Sequence, residues 1–130
     1  MEADSRTTSA PPRITLSTCT IDVETTPNKV NVSIIGEVDM ADADRVGEVL
    51  IEAASAGKSI VCVDLAGLEF ADSSAIKAIL LGANAAGDNG VSYELVNPHG
   101  SVSRLLGVTG LSDALTVIDE PTDREGPNSL

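Results

Sequence analysis

Two hydroxyls, Ser73 and Ser74, follow the carboxylate of Asp72 where an apolar run gives way to helical spacing. The run Ser59-Ile60-Val61-Cys62-Val63 is rich in β-branched residues and predicts a buried strand. After the hydroxyls, Ile76, Ile79, Leu80 and Ala83 recur at i, i+3, i+4, i+7 and form one apolar helical stripe. Ser73 and Ser74 therefore stand where a helix opens. Unpaired backbone N–H groups and the positive end of the helix dipole collect there. A serine so placed suits the addition and removal of a phosphate. It can equally be a plain helix cap.

Nucleophilic catalysis is the competing chemistry. A serine at a strand-to-helix turn would need a Gly-x-Ser-x-Gly pattern, which does not surround Ser73. A triad would have to recruit His99, the single histidine, set in a turn between Pro98 and Gly100. Cys19, Cys62 and His99 lack metal-binding spacing. Glu37, Asp39, Asp42 and Asp44 lack the glycine and closing glutamate of a calcium loop. Gly107-Val108-Thr109-Gly110 lacks the lysine of a phosphate loop. The expectation is a protein without catalysis, cofactor or metal. Cys62, between valines, reads as a buried thiol. A redox pairing with Cys19 would require Cα atoms within about 7 Å.

The elements that must position Ser73 follow from the rest of the pattern. Residues 1–13 are polar, contain Pro11-Pro12 and predict a disordered lead. Residues 14–23 and 30–38 predict a strand hairpin around the turn 25–28. Asp42 is the expected N-cap of a helix over 43–56, with Val46, Leu50, Ala53 and Ala54 inward and Gly57 as C-cap. A strand over 59–65, a short turn and a helix over 73–87 come next. A strand over 91–96, a helix over 100–107 with Val102, Leu105 and Leu106 inward, and a last strand over 114–118 complete the domain at 14–119. Residues 120–130 predict an acidic, disordered tail. Strands alternating with helices imply right-handed crossovers. The expected fold is a single α/β domain, a mixed but mostly parallel sheet of about five strands packed with helices.

In such sheets, ligands and partners meet the carboxyl ends of the strands. If the second and third strands pair, Glu37, Asp39, Asp42, Glu69 and Asp72 gather around Ser73. Partner binding is accordingly assigned to Glu37, Asp39, Asp42, Glu69, Asp72, Ser73, Ser74 and Lys77. Twenty acidic residues against eight basic ones give a net charge of −12. That balance opposes nucleic acid and anionic membranes and points to a basic protein partner. No apolar window of about 20 residues could span a bilayer, and the first residues lack a signal-peptide pattern. The cytoplasm is the expected location and a monomer the expected state. With no Trp, one Tyr and one Phe, the core must be aliphatic.

The segment Asp64-Leu65-Ala66-Gly67-Leu68-Glu69-Phe70-Ala71-Asp72-Ser73-Ser74-Ala75-Ile76 resembles the signature of the STAS domain, as found in bacterial anti-sigma factor antagonists. Ile35-Gly36-Glu37-Val38-Asp39, Glu94-Leu95-Val96-Asn97 and Val108-Thr109-Gly110-Leu111 resemble further elements of that family, and about residues 14–119 follow its pattern. The resemblance implies that Ser73 is the residue a partner kinase phosphorylates, with Ser74 a secondary candidate. It implies an anti-sigma factor serine kinase as partner, a sigma factor released on binding, and a serine phosphatase that resets the switch. Transcription regulation in a stress response follows from the same likeness. The alternative is a STAS subunit of another assembly, a stressosome or lipid-transport complex, that binds without a phosphoswitch. The family usually has glycine where this chain has Ala75.

Overall fold

The computed structural model describes residues 13–119. In chain order they form β1 (Arg13–Thr15), β2 (Cys19–Thr25), β3 (Lys29–Val38), α1 (Met40–Ala54), β4 (Ile60–Asp64), β5 (Leu68–Ala71), α2 (Ser73–Asp88), β6 (Ser92–Val96), α3 (Gly100–Thr109), α4 (Leu111–Ala114) and β7 (Thr116–Ile118). The seven strands make one sheet in the order β1-β2-β3-β4-β6-β7, with β5 also beside β3. The two hairpin pairings are antiparallel. The pairings of β3 with β4 and β5, of β4 with β6 and of β6 with β7 are parallel.

Strand β3 is the spine because its buried apolar residues fall on one face, with Ile35 alone out of phase and exposed. Val30, Val32, Ile34 and Val38 are buried, whereas Asn31, Ser33 and Glu37 are not. It is long enough to pair twice on one side. Lys29–Ser33 lies against β4, and Gly36–Val38 lies against β5. The register shifts between Gly36 and Glu37. Gly36 has φ +106°, and a Cβ there would lie 2.6 Å from the Thr18 carbonyl oxygen, so only glycine fits this bulge.

Helices α1 and α2 pack against each other over the apolar face of the sheet. Small residues set their separation. A Cβ on Gly82 would lie 2.7 Å from Leu50 Cβ and 2.5 Å from the Tyr93 hydroxyl, which donates to the Ile79 carbonyl at 2.9 Å. Gly82→Ala gains helix propensity of about 1 kcal/mol but forces overpacking of roughly 1–3 kcal/mol. The clash is with a Cβ as well as a phenol, so overpacking wins. Thermal unfolding of Gly82→Ala is expected about 5–10 °C below wild type, and an unchanged midpoint would contradict the close approach.

Several elements differ from expectation. Residues 14–23 do not form one strand. They fold back as β1 and β2, with Leu16 N–H donating to the Cys19 carbonyl at 2.8 Å across the turn. Arg13, assigned to the lead, belongs to β1 and pairs with Asp22 at 2.7 Å. The rest of the expected lead and the tail lie outside the described residues. Helix α1 starts at Met40 with Asp39 as its N-cap, whose Oδ1 accepts from Ala41 N–H at 3.0 Å, and Ser55 is its C-cap in place of Gly57. The expected turn before Ser73 contains β5, drawn into the sheet by the free length of β3. On α2, Ile76 and Ile79 are buried as expected but Leu80 is 39% exposed. Ala75, Ala78, Gly82 and Ala86 share the buried face because close helix contact selects small residues. Leu105 is half-buried, and a single-turn helix, α4, precedes the last strand.

Candidate functional site

Asp39 and Asp72 each follow the last residue of a parallel strand. Val38 and Ala71 are paired partners at the ends of β3 and β5. The next residue on each strand caps a helix, and Asp72 N–H donates to the Val38 carbonyl at 3.3 Å. Two helix starts therefore open from the same end of the sheet, where α/β folds expose their sites. The Asp72 carboxylate accepts from Ser74 N–H at 2.9 Å and Ala75 N–H at 3.2 Å.

Ser73 is the first residue of α2 and is exposed. Its hydroxyl makes no hydrogen bond among the described residues, because Asp72 rather than Ser73 caps the helix. Ser74 is half-buried and lines a shallow groove between α1 and α2 with Met40, Ala43, Asp44, Lys77, Ala78 and Leu81. Lys77 and the site thus share one surface. Glu37 and Glu69 are exposed, and Glu37 stands opposite Phe70 in the β3–β5 register. Ala75 is 2% exposed, so the methyl group at the family's usual glycine position points into the core and leaves the fold intact.

Asp42 is a correction. It does not join the site, although its sequence position beside Asp39 suggested that it would. Its carboxylate is 4% exposed and turns back to the β1–β2 hairpin. It accepts from Ser17 Oγ at 2.5 Å, Ser17 N–H at 3.3 Å, Thr18 N–H at 2.9 Å and Thr18 Oγ1 at 3.2 Å. These hydrogen bonds, the Ser17 hydroxyl foremost, hold its pKa down at about 2. Thr18 in turn bonds the Glu37 backbone in both directions, Oγ1 to the carbonyl at 2.9 Å and its own carbonyl to the N–H at 3.0 Å. Asp42 supports the end of β3 from below rather than meeting a partner.

His99 is exposed and stands at the start of α3. It is the N-cap position of α3, and its Nε2 lies 2.8 Å from the Ala66 carbonyl oxygen, so Nε2–H donates and ties α3 to the loop before β5. Cys19 and Cys62 form no disulfide with each other. Burial, helped by the Asp42 carboxylate, pushes the Cys19 thiol up to about 11, which keeps it protonated. No group of three or more His, Cys, Asp or Glu among the described residues could hold a metal ion. No helix of the described chain is long and apolar enough to cross a membrane.

Sequence reasoning missed two apolar residues of this surface. Met40 is 78% exposed and Phe70 45% exposed. The signal was available, since Met40 follows the capping Asp39 and the single Phe lies three residues before Ser73. Large apolar side chains held in water beside a charged site suit a protein interface.

Residues 21–118 match a family model described as "Mlab, STAS domain". No curated protein matches the sequence. Among solved structures, the chain is similar to an anti-sigma factor antagonist from Mycobacterium paratuberculosis, at 22% identity and TM-score 0.70 over 85% of this chain and 92% of that one. It is similar to the anti-sigma factor antagonist SpoIIAA in its unphosphorylated form, at 20% identity and TM-score 0.68 over 84% of this chain and 94% of that one. It is also similar to the Bacillus cell fate determinant SpoIIAA in the phosphorylated form, at 20% identity and TM-score 0.64 over 84% and 97%. At these identities the structural likeness establishes the fold.

Proposed function

The chain belongs to the STAS domain family, and on that footing we propose that it is an anti-sigma factor antagonist switched by phosphorylation of Ser73. Unmodified, it binds an anti-sigma factor that is also a serine kinase, and a sigma factor is released. The kinase transfers the γ-phosphoryl group of ATP to Ser73 Oγ, ADP leaves, and the hydroxyl proton passes to a base of the kinase. The complex then separates, and a serine phosphatase hydrolyses the phosphate to restore the binding form. The protein is the substrate of these steps and has no catalysis of its own. The expected setting is the cytoplasm.

The observation that carries this reading is the exposed Ser73 hydroxyl, left without a hydrogen bond among the described residues while Asp72 caps the helix. A phosphate there would gain about 0.3–1 kcal/mol from the helix dipole. It would also bring about −1.5 to −2 charge to a surface that already holds Glu37, Asp39, Glu69 and Asp72. Desolvating that group in a docked interface costs several kcal/mol, which outweighs the dipole term. The modification therefore acts by blocking the partner more than by refolding the domain.

The competing reading is a STAS subunit of a stressosome or lipid-transport complex without a phosphoswitch. On its side stands the name Mlab on the matching family model. The test is incubation with the partner kinase and ATP. One phosphate is expected at Ser73, with none on Ser73→Ala, which still binds the kinase. Normal labelling of Ser73→Ala, with phosphate mapped elsewhere by mass spectrometry, would discard the assignment. Stable partner binding with no labelling at all would favour the competing reading.

A further inference from the structure

We propose that a phosphoryl group on Ser73 is held by the ammonium group of Lys77, one turn further along α2. The inference rests on the phosphorylation of Ser73 proposed above and names the residue that receives the new charge.

The amides of Ser74, Ala75 and Ile76 are not the natural recipients. Ser74 and Ala75 N–H already donate to the Asp72 carboxylate, and Ala75 and Ile76 N–H donate to its carbonyl at 3.0 and 3.2 Å. A phosphate could use these amides only by displacing a carboxylate that is already in place. Lys77 has no such competitor. It is exposed and forms no ion pair among the described residues. Ser73 and Lys77 are spaced i, i+4, so their side chains lie on one face of α2. The anion stands N-terminal to the cation, which is the favourable order on a helix.

The other cations of the described chain are paired or lie outside α2. Arg13 pairs with Asp22, and Arg45 with Glu48. Lys58 donates to the Pro27 carbonyl in the turn that leads into β3, and Lys29 begins β3, at the end of the strand opposite to the site. Arg104 is on α3. Lys77 is the single cation on the helix that Ser73 opens.

The consequence reaches the groove. In the unmodified chain Lys77 lines it beside Asp44, Ser74 and Met40. Drawn toward a phosphate at Ser73, the lysine leaves that groove with the Asp44 carboxylate and no cation. Phosphorylation then alters the surface twice, by adding a dianion and by withdrawing the local positive charge.

The test uses the full chain with phosphoserine installed at position 73 by encoded synthesis, so no kinase is needed. The second ionisation of the phosphate is followed by phosphorus NMR at low salt in the Lys77, Lys77→Ala and Lys77→Arg forms. The midpoint is expected to rise by about 0.2–0.4 pH unit in Lys77→Ala, because an i, i+4 ion pair favours the dianion by roughly 0.2–0.5 kcal/mol. Lys77→Arg should restore it, and added salt should erase the difference. Circular dichroism checks that all three are folded. Identical midpoints in the lysine and alanine forms would overturn the contact. That result would leave kinase labelling of Ser73 untouched, and failure of labelling would leave the titration shift standing.

Discussion

Phosphoserine at position 73 is expected to weaken binding to the anti-sigma factor by about 100-fold or more, the equivalent of roughly 3 kcal/mol. The expected loss comes from desolvating a phosphate on the surface proposed to bind the partner, which already holds Glu37, Asp39, Glu69 and Asp72. Ser73→Ala should bind within about threefold of wild type, since an exposed hydroxyl with no partner among the described residues contributes little. Surface plasmon resonance on the modified and unmodified chains measures both. The unmodified chain should also associate more slowly as salt rises, because its charge of −12 steers a basic partner. Glu69→Lys is the cleaner probe of this steering than a change at Asp39. Asp39 caps α1, and its loss would confuse helix stability with binding. Phosphoserine binding as tightly as serine, with an on-rate indifferent to salt, would sink the switch.

Asp42→Ala should be the most destabilising change near the site. Removing the carboxylate leaves the Ser17 and Thr18 N–H groups and the Ser17 hydroxyl without this acceptor, while Thr18 Oγ1 keeps the Glu37 carbonyl. Hydrogen bonds to a charged acceptor contribute about 1.5–3 kcal/mol each, and water replaces part of them because Ser17 and Thr18 are exposed, so a total of roughly 3 kcal/mol is expected. For a domain of this size that lowers the thermal midpoint by roughly 10–20 °C. Ser17→Ala should cost less, because Asp42 keeps its two N–H donors. The same carboxylate predicts a pH dependence. Its pKa falls from 3.8 to about 2 on folding. Its contribution is therefore complete above about pH 4 and is lost as the pH drops toward about 2, where the folded carboxyl also protonates. In Asp42→Ala this part of the acid transition should vanish. A midpoint at neutral pH within about 2 °C of wild type would show that the hairpin does not depend on Asp42.

Sequence patterns were enough for the elements whose signal is local. The β-branched run before Gly67 and the apolar spacing after Asp72 specify β4 and the start of α2 without reference to the rest of the chain. The alternation in 30–38 specifies β3 in the same way. The α/β class follows from the order of these elements.

Tertiary structure decided whatever depends on a partner distant in sequence. Asp39 and Asp42 both carry the short carboxylate that N-caps favour, so local propensity could not choose between them. The choice was made by the β1–β2 hairpin, whose Ser17 and Thr18 N–H groups claim Asp42 and leave the cap to Asp39. That same claim explains why one apparent strand over 14–23 breaks in two. Phe70 and its neighbours had too short a run to declare a strand, and they became β5 only because β3 extends past β4. Leu80 fits the helical stripe, yet the buried face of α2 is set by small residues that let α1 approach, which hydrophobic periodicity does not encode. The register of Val38 against Ala71 brings Asp39 and Asp72 to adjacent helix starts, and that juxtaposition makes Ser73 part of a surface instead of an isolated cap.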